Sequence, residues 1–528
     1  MSRPFLPDRL DAGAFHLLFE LDWAGTIYRL ARERIEATID GDVLIYQGGL
    51  EISPAFEESI DLFSIGLEER SADVTLHMSE LADVPDLVSR GHDLGSASGR
   101  LLLWVDGETV ARTLIEGEIR DPSYGNSDEP IVLTLEEAPW LDRLSIPGPL
   151  SFVSAATWLN RDDALDGERY PIILGSPGGG SLAGSVALHV ETAPGNRYLI
   201  AEGEIASSSV TLENKTNGNT VVLAALPFTD LRGNYVTYVD DAADALAVTV
   251  GDPIYVRWAG LGVPGVSTAG EAIEWMLARS GLRVDYGRTQ AARDLLAEYK
   301  IDAYIQAGPD SQISAWDWLS EHILPILPVS IRTGPDGVYP LVWRHQAGRS
   351  DAAADLDPSR GNCDRVSAVT YTSRDNIYQE IEILYRRDEL NNLQDGRAVL
   401  TGDPDTADAD TDASMNQYLR ESFERYAGSR SDRVSRRSIS TAVISDDATA
   451  QNVLSWLALR YAQQRRMVTY DCDTSFGHLE PGDLVTVTDA EISWADVPCL
   501  IDSIVWTEEA KIVLSLTVQE HEVFRVGG

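Results

Sequence analysis

The chain has 528 residues, 44% hydrophobic and 24% charged, enough for several buried cores, which argues against a disordered tether. Its 84 Asp and Glu outnumber 42 Lys and Arg, a formal net charge of -42. Such a surface repels polyanions, so specific binding of nucleic acid or anionic lipid is not expected. Only Lys215, Lys300 and Lys511 are lysines. The other basic residues are arginines, whose planar forks suit carboxylate pairing at subunit interfaces, although codon preference produces the same bias. Cys363, Cys472 and Cys499 are odd in number, widely spaced and outside any CxxC pair. That predicts free thiols in a reducing compartment, without a disulfide framework or a thiolate zinc site. Residues 1–9 contain no apolar run of a signal peptide, and the apolar stretch 221–226 is too short to span a bilayer. Synthesis in a cytoplasm, with no membrane span, is the expectation.

At roughly 100–200 residues per domain, the length predicts about three to five domains. In chain order, Phe15, Leu17, Phe19 and Leu21 alternate with His16, Leu18 and Glu20 as in a largely buried strand. Further strands are predicted at 43–46, 74–78 and 101–105. The last of these enters Asp106-Gly107, a hairpin-turn pair, and 110–119 returns from it before a strand at 131–135. These short strands predict an N-terminal β-barrel over 1–150. A β-rich domain over 151–260 carries strands near 170–175, 186–190, 198–201, 220–223 and 253–258, with a flexible Gly178–Gly180 connector.

From Gly262 the periodicity changes. Ala272, Ile273, Met276 and Leu277 lie on one helical face, with Gly281 as C-cap. A second helix is predicted over 291–299. A third starts near Ser311, carries Ile313, Trp316, Leu319 and Ile323, and stops before Pro325. Strands at 329–332 and 339–343 complete a small α/β domain over 261–345. The remainder, 346–528, reads as a C-terminal β-barrel with helical insertions and an acidic loop. Its strands are predicted at 367–371, 378–385, 467–470, 484–488, 499–506 and 511–518. The exposed loop carries Asp403, Asp405, Asp408, Asp410 and Asp412, and a helix over 413–426 follows. Asp446-Asp447 offers an N-cap to a second helix, with Val453, Leu454, Leu457, Ala458 and Tyr461 as its buried stripe. Arg460, Arg465 and Arg466 favour its C-terminal end. The fold class is therefore mainly β with α/β insertions: two barrel domains and two peripheral domains.

No residue is assigned to catalysis, to a cofactor or to a metal. There is no GxxxxGK[ST] loop, and no GxGxxG between a strand and a helix. No two of the eight histidines are spaced i,i+4, and Arg525 stands where a second His would follow His521-Glu522. Asp408-Ala409-Asp410-Thr411-Asp412 begins like a calcium loop, but Ala413 and Leu419 occupy the glycine and bidentate-acid positions. Ser176, in Gly175-Ser176-Pro177-Gly178, is not a nucleophile elbow. Carboxylate pairs for glycoside cleavage stay open, because 84 acids make many accidental pairs. Arg420, Arg425, Arg430, Arg433, Arg436 and Arg437 form the one basic cluster. Of these, Arg430, Arg433, Arg436 and Arg437 are the candidate interface with an acidic neighbour, including another copy of the chain. A solvated helix end and loop is the alternative.

Several segments together carry a resemblance. They are Tyr170-Pro171-Ile172-Ile173-Leu174-Gly175 at the opening of the second β domain, and a helix over 452–464 leading into Arg466-Met467-Val468-Thr469-Tyr470. Then follow Leu479-Glu480-Pro481-Gly482-Asp483-Leu484-Val485-Thr486-Val487 and the closing strand pair 499–506 and 511–518. In this order of parts the chain resembles the baseplate, or tail, hub proteins of long-tailed bacteriophages, whose barrel domains are related to the tail-tube protein. The resemblance implies a structural homotrimer at the tail tip, without enzymatic activity or cofactor. Two ring barrels per subunit, here 1–150 and 346–528, would make a pseudo-sixfold ring joining the sixfold tube to a threefold central spike or fibre. Domains 151–260 and 261–345 would lie outside. The partners it implies are the chain itself, the distal tail or tube protein, the tape measure protein and the spike or fibre. DNA would pass through an acidic lumen without being specifically bound. The expected location is the virion. The chain stops at Gly527-Gly528 soon after the last strand, so a fused fibre or wall hydrolase is not expected. Two other readings remain: a tail-associated enzyme degrading cell wall or capsule, and a receptor-binding module. Replacing Arg433, Arg436 and Arg437 with Glu is expected to weaken self-association; an unchanged oligomer mass by light scattering would remove the interface assignment.

Overall fold

The computed structural model describes residues 15–52, 56–59, 71–77, 91, 93–123, 130–136, 145–146, 148, 151–161, 163–176, 185–191, 195–249, 252–258, 261–279, 283–306, 313–334, 337–343, 348–388, 393–404, 413–427, 435–506 and 512–519. The architecture is multidomain and mainly β, at 48% strand and 19% helix, with one nearly closed barrel sheet and one half-barrel.

The N-terminal part is a seven-stranded antiparallel sheet. Its spatial order is Thr26–Ala31, Phe15–Trp23, Ser98–Val105, Arg112–Ser123, Ile131–Glu136, Ser71–Leu76 and Leu50–Ile52. The alternation in the first strand separates two buried faces. Phe15, Phe19 and Leu21 enter the large core. Leu18 packs on the other side with Ala37, Tyr46, Leu102 and Trp104, beneath the hairpin of Ile35–Ile39 and Asp42–Tyr46. Glu20 falls on that second face. Its carboxylate accepts from the Tyr46 hydroxyl (2.7 Å), Arg29 Nε (3.1 Å) and Arg100 Nε (2.7 Å). Burial opposes its charge, but these donors hold Glu20 below the usual carboxylate range. The Asp106-Gly107 turn forms as expected, with Gly107 at φ +85°, a conformation glycine adopts without strain.

The C-terminal sheet runs Ala354–Leu356, Leu484–Asp489, Trp494–Trp506, Ile512–Val518, Arg466–Cys472 and Cys363–Arg365 in spatial order. Thr370–Tyr371 also pairs with Arg466–Cys472. One further strand comes from the other end of the chain: Phe56–Ser59 pairs antiparallel with Trp494–Trp506, Phe56 opposite Trp506 and Ser59 opposite Ser503. The N-terminal and C-terminal sheets also share a hydrophobic core. Phe15, Phe19 and Leu103 belong to the same cluster as Tyr470, Ile504, Trp506 and Leu514. Phe15 meets the Trp506 ring edge to face at 5.9 Å.

Between them lie two further bodies of packing. Two four-stranded sheets occupy the stretch from Ser185–Val186 to Ile254–Arg257, one ordered Leu188–Glu191, Asn196–Glu202, Tyr235–Asp241, Leu226–Thr229. The other is ordered Ser185–Val186, Ile254–Arg257, Ser209–Asn214, Thr220–Ala224. The second body joins the helices Ala269–Arg279 and Tyr286–Leu295 and the hairpin Val329–Gly334 with Gly337–Val342 to residues much later in the chain. Those are a four-stranded sheet, Ala413–Met415, Leu393–Thr401, Glu380–Asp388 and Arg436–Ser440, and the helix Asp447–Tyr461. Ile273, Leu277, Leu319, Ile323, Ile381, Leu400, Leu454 and Leu457 lie in one core.

Several sequence expectations shift. The helix expected at 291–299 is Tyr286–Leu295, because the Asp285 carboxylate caps it early by accepting from the Arg288 N–H (3.0 Å). The helix expected over 413–426 begins as a strand, Ala413–Met415, which adds parallel to Leu393–Thr401. The helix starts only after Asn416, whose side chain accepts from the N–H groups of Tyr418 and Leu419. The third helix starts at Ala315, capped by Ser314, and continues as a π-helical turn over Leu319–Ile323. The helix Asp447–Tyr461 matches its expected cap and stripe. Arg460 lies in the last turn as expected and is buried there, with Trp343, Trp456 and Tyr461 rings 4.8, 5.6 and 5.1 Å from its guanidinium. The acidic loop residues Asp405, Asp408, Asp410 and Asp412 lie outside the described residues.

Because Trp506 touches both ends of the chain, Trp506→Ala is expected to cost about 3–5 kcal/mol. Hydrogen exchange should show protection falling in both Phe15–Trp23 and Ile512–Val518; a loss confined to one of them would contradict the shared core.

Candidate functional site

The residues that bring distant parts of the chain together converge on Glu480. After buried Leu479, the chain turns through Pro481-Gly482-Asp483. Asp483 Oδ2 accepts from the Glu480 N–H (2.9 Å), and the Gly482 N–H donates to Ile501 O (2.8 Å). Gly482 has φ +91°, and a Cβ there would meet Leu341 Cδ2 at 2.8 Å, so this turn is seated directly on the hairpin of the α/β part.

The turn aims Glu480 at cations from two directions. Arg288, on the helix Tyr286–Leu295, donates to it with both terminal nitrogens, at 2.9 and 3.0 Å. The Arg288 guanidinium lies 4.4 Å from the ring centroid of Tyr339, whose hydroxyl donates to Glu480 Oε2 at 3.4 Å. From the N-terminal sheet, Arg112 Nη2 stands 3.7 Å from Glu480 Oε1, and Arg112 Nη1 donates to Gly477 O at 3.1 Å. The Arg112 guanidinium also lies 5.9 Å from the Trp506 ring centroid. The side chains of Arg112 and Glu480 are 7% and 11% exposed, so this is a largely desolvated joint. Burial opposes the charge of Arg288, yet Tyr339 and Glu480 hold it above the usual arginine range. Glu480 is thus engaged by donors from three parts of the chain. That arrangement fixes their relative position and leaves no activated base.

Two other carboxylates act similarly. Asp302 accepts from the Ser176 N–H and the Ser445 hydroxyl, tying residues beside the second β part to the start of the helix Asp447–Tyr461. The close approach there needs Gly175, at φ +70°, whose added Cβ would lie 1.8 Å from Ile301 O. Asp489 accepts from the Tyr470 hydroxyl (2.9 Å) and Arg365 Nε (3.0 Å). Burial raises the carboxyls of Glu202 and Glu168, which accept from the Ser151 hydroxyl and the Gln306 amide respectively. No group of three His, Cys, Asp or Glu suited to a metal ion occurs among the described residues. Among them, no helix is long and apolar enough to cross a membrane.

Of the candidate interface arginines, Arg430 and Arg433 lie outside the described residues. Arg436 and Arg437 open the strand Arg436–Ser440, at one edge of the four-stranded sheet. Arg436 is 62% exposed and pairs with Glu380 at 3.0 Å. Arg437 turns the other way, with Tyr461 and Tyr378 rings 4.4 and 5.6 Å from its guanidinium. Arg436 therefore keeps an outward-facing cation, while Arg437 is used within the fold. In the sequence Glu480 is only one residue of the 479–487 segment, with no role of its own. The signal available was an acid between a buried leucine and a proline, and that does not announce its partners.

Residues 413–497 match the family model described as putative phage tail protein. This segment contains the helix Asp447–Tyr461, the Glu480 turn and the start of the long strand Trp494–Trp506. No curated protein matches the chain. Among solved structures, the tail protein of Neisseria meningitidis MC58 is similar at 10% identity, with 96% of each chain covered and a TM-score of 0.37. The 43 kDa tail protein of prophage MuSo2 from Shewanella oneidensis is similar at 11% identity, covering 95% of this chain and 97% of that one, with a TM-score of 0.34. A prophage tail protein of Listeria monocytogenes EGD-e is similar at 8% identity, covering 95% and 94%, with a TM-score of 0.35.

Glu480→Ala leaves two arginines facing an empty acceptor site and is expected to cost about 3 kcal/mol in urea unfolding. A cost below about 0.5 kcal/mol would show that the joint does not bear on stability.

Proposed function

We propose that this chain is a non-catalytic structural subunit of a phage tail, and that three copies form the hub ring at the tail tip. The observation that carries the reading is the union of the two ends of the chain. The strand Phe56–Ser59 extends the C-terminal sheet, and one core serves both sheets. A single subunit then presents two sheet-built bodies as one rigid unit, which is what a pseudo-sixfold ring of three chains requires. The match of residues 413–497 to putative phage tail proteins supports the same assignment.

In this reading the ring joins the tail tube, through the distal tail or tube protein, to a threefold spike or fibre, and it encloses the end of the tape measure protein. The net charge of -42 lets DNA pass without adhering. Neighbouring subunits meet through polar and apolar contacts to which Arg436 contributes at its sheet edge, with Arg430 and Arg433 from the preceding segment. The central carboxylates bind the parts of the subunit together and do no acid–base chemistry.

Negative-stain images of the purified chain should show threefold rings, and light scattering should give a mass three times 57.8 kDa. A monomer that clears suspensions of purified cell walls would overturn the proposal in favour of an enzyme. A monomer that binds host cells would favour a receptor-binding module.

A further inference from the structure

Two of the three cysteines, distant in sequence, are neighbours in the fold. Cys363 and Cys472 are directly opposite each other on the antiparallel strands Cys363–Arg365 and Arg466–Cys472. The ladder hydrogen bonds flank them: Asp473 N–H donates to Asn362 O (3.3 Å), and Val366 N–H donates to Thr469 O (3.0 Å). In an antiparallel ladder the two kinds of pair alternate, so Cys363 and Cys472 occupy a non-hydrogen-bonded pair. There the Cα atoms stand about 4.5 Å apart and the side chains approach most closely, within the range a disulfide spans.

Both side chains point into the same core and are buried. The Cys472 thiol donates to Tyr470 O on its own strand, at 3.9 Å. The closeness of the two sulfurs draws the Cys363 thiol below its ordinary range and, with burial, pushes Cys472 up. Cys499 is set apart on the strand Trp494–Trp506, between Val485 and Val518. Cys363 lies on the last strand in the sheet order, a three-residue strand whose middle residue Asp364 is exposed, as is Gly361 just before it. Such short edge strands open locally at little cost.

We propose that Cys363 and Cys472 are a redox pair that closes into a cross-strand disulfide once the protein meets an oxidising, disulfide-containing medium. The Cys363 thiolate attacks one sulfur of a small-molecule disulfide such as glutathione disulfide. The sulfur–sulfur bond of that molecule breaks and releases one thiolate. Cys472 then gives up its proton and attacks the Cys363 sulfur of the mixed disulfide, releasing the second thiolate. The two cysteine protons end on the two released thiols; the cysteines are oxidised and the small disulfide is reduced. Between the two cysteines the chain carries the strands Glu380–Asp388 and Leu393–Thr401 and the helix Asp447–Tyr461. The bond therefore clamps the neck through which this whole excursion leaves and re-enters the C-terminal sheet. Closing a loop of about 110 residues strongly restricts the unfolded chain. The chemistry is independent of the tail reading; only the timing, reduced during synthesis and oxidised after release, rests on it.

The test uses the full chain, purified under reductant and then incubated with oxidised glutathione. Free thiols are blocked with N-ethylmaleimide in denaturant, and intact mass and peptide maps are recorded. The proposal expects loss of two hydrogen masses, a single cross-linked peptide pair joining Cys363 to Cys472, and maleimide on Cys499 alone. It also expects a higher urea midpoint that dithiothreitol reverses. Cys499→Ser should leave the mass change intact, and Cys363→Ser should abolish it. Three alkylatable cysteines, a persistent glutathione adduct or a bridge through Cys499 would each overturn the proposal. The wild-type measurement decides even if a variant fails to fold. Failure would leave the threefold ring standing, and a monomer in the ring test would leave the disulfide standing.

Discussion

The arrangement rests on a carboxylate that is removed from water. Glu480 is expensive to bury alone, and so is Arg112; an unpaired buried charge costs several kcal/mol. Each becomes tolerable only when the N-terminal sheet, the helix Tyr286–Leu295 and the Glu480 turn are correctly placed together. The two-point contact of Arg288 adds direction to the attraction, because a guanidinium fork donates to both oxygens of a carboxylate in one plane. The joint therefore contributes more to geometry than to net stability. The shared apolar core around Phe15 and Trp506 supplies most of the cohesion, and the ions set the angle at which the parts meet.

This division of labour suits a structural subunit better than a reaction site. The buried carboxylates Glu20, Glu480 and Asp489 and the part-buried Asp302 each accept from donors on other segments. A saturated acceptor is a poor base, and its worth lies in what it holds. The large excess of acid elsewhere on the chain keeps the surface soluble and repels DNA, so the same residue type serves two ends, according to whether it is buried with arginine or left in water.

The β character was readable because alternation survives in single strands. Phe19 and Leu21 on one side and Leu18 on the other are visible in nine residues. The Asp446 cap and the stripe from Val453 to Tyr461 were equally local. What escaped was non-local. Nothing in Phe56–Ser59 indicates a partner at Ser503–Trp506, more than 400 residues on, because strand pairing is written in backbone atoms that every residue has. The Asp285 cap moved a helix by about a turn because the apolar pattern of 291–299 continues into Leu296 and Tyr299, buried outside the helix. The sequence around Glu480 names none of its partners, which come from three separate stretches. The wide spacing of Cys363 and Cys472 argued against pairing, and the strand register brings them face to face.

The most direct test of this account is a double-mutant cycle on Arg288→Met and Glu480→Gln, read by urea unfolding. A coupling of about 1–3 kcal/mol is predicted, since each single change breaks the two-point contact between Glu480 and the part-buried Arg288, while the loss of Arg112's acceptor is common to Glu480→Gln and the double change and cancels. Additive effects within about 0.3 kcal/mol would mean that Glu480 and Arg288 merely lie near one another, and the joint would not be the constraint on which the fold depends.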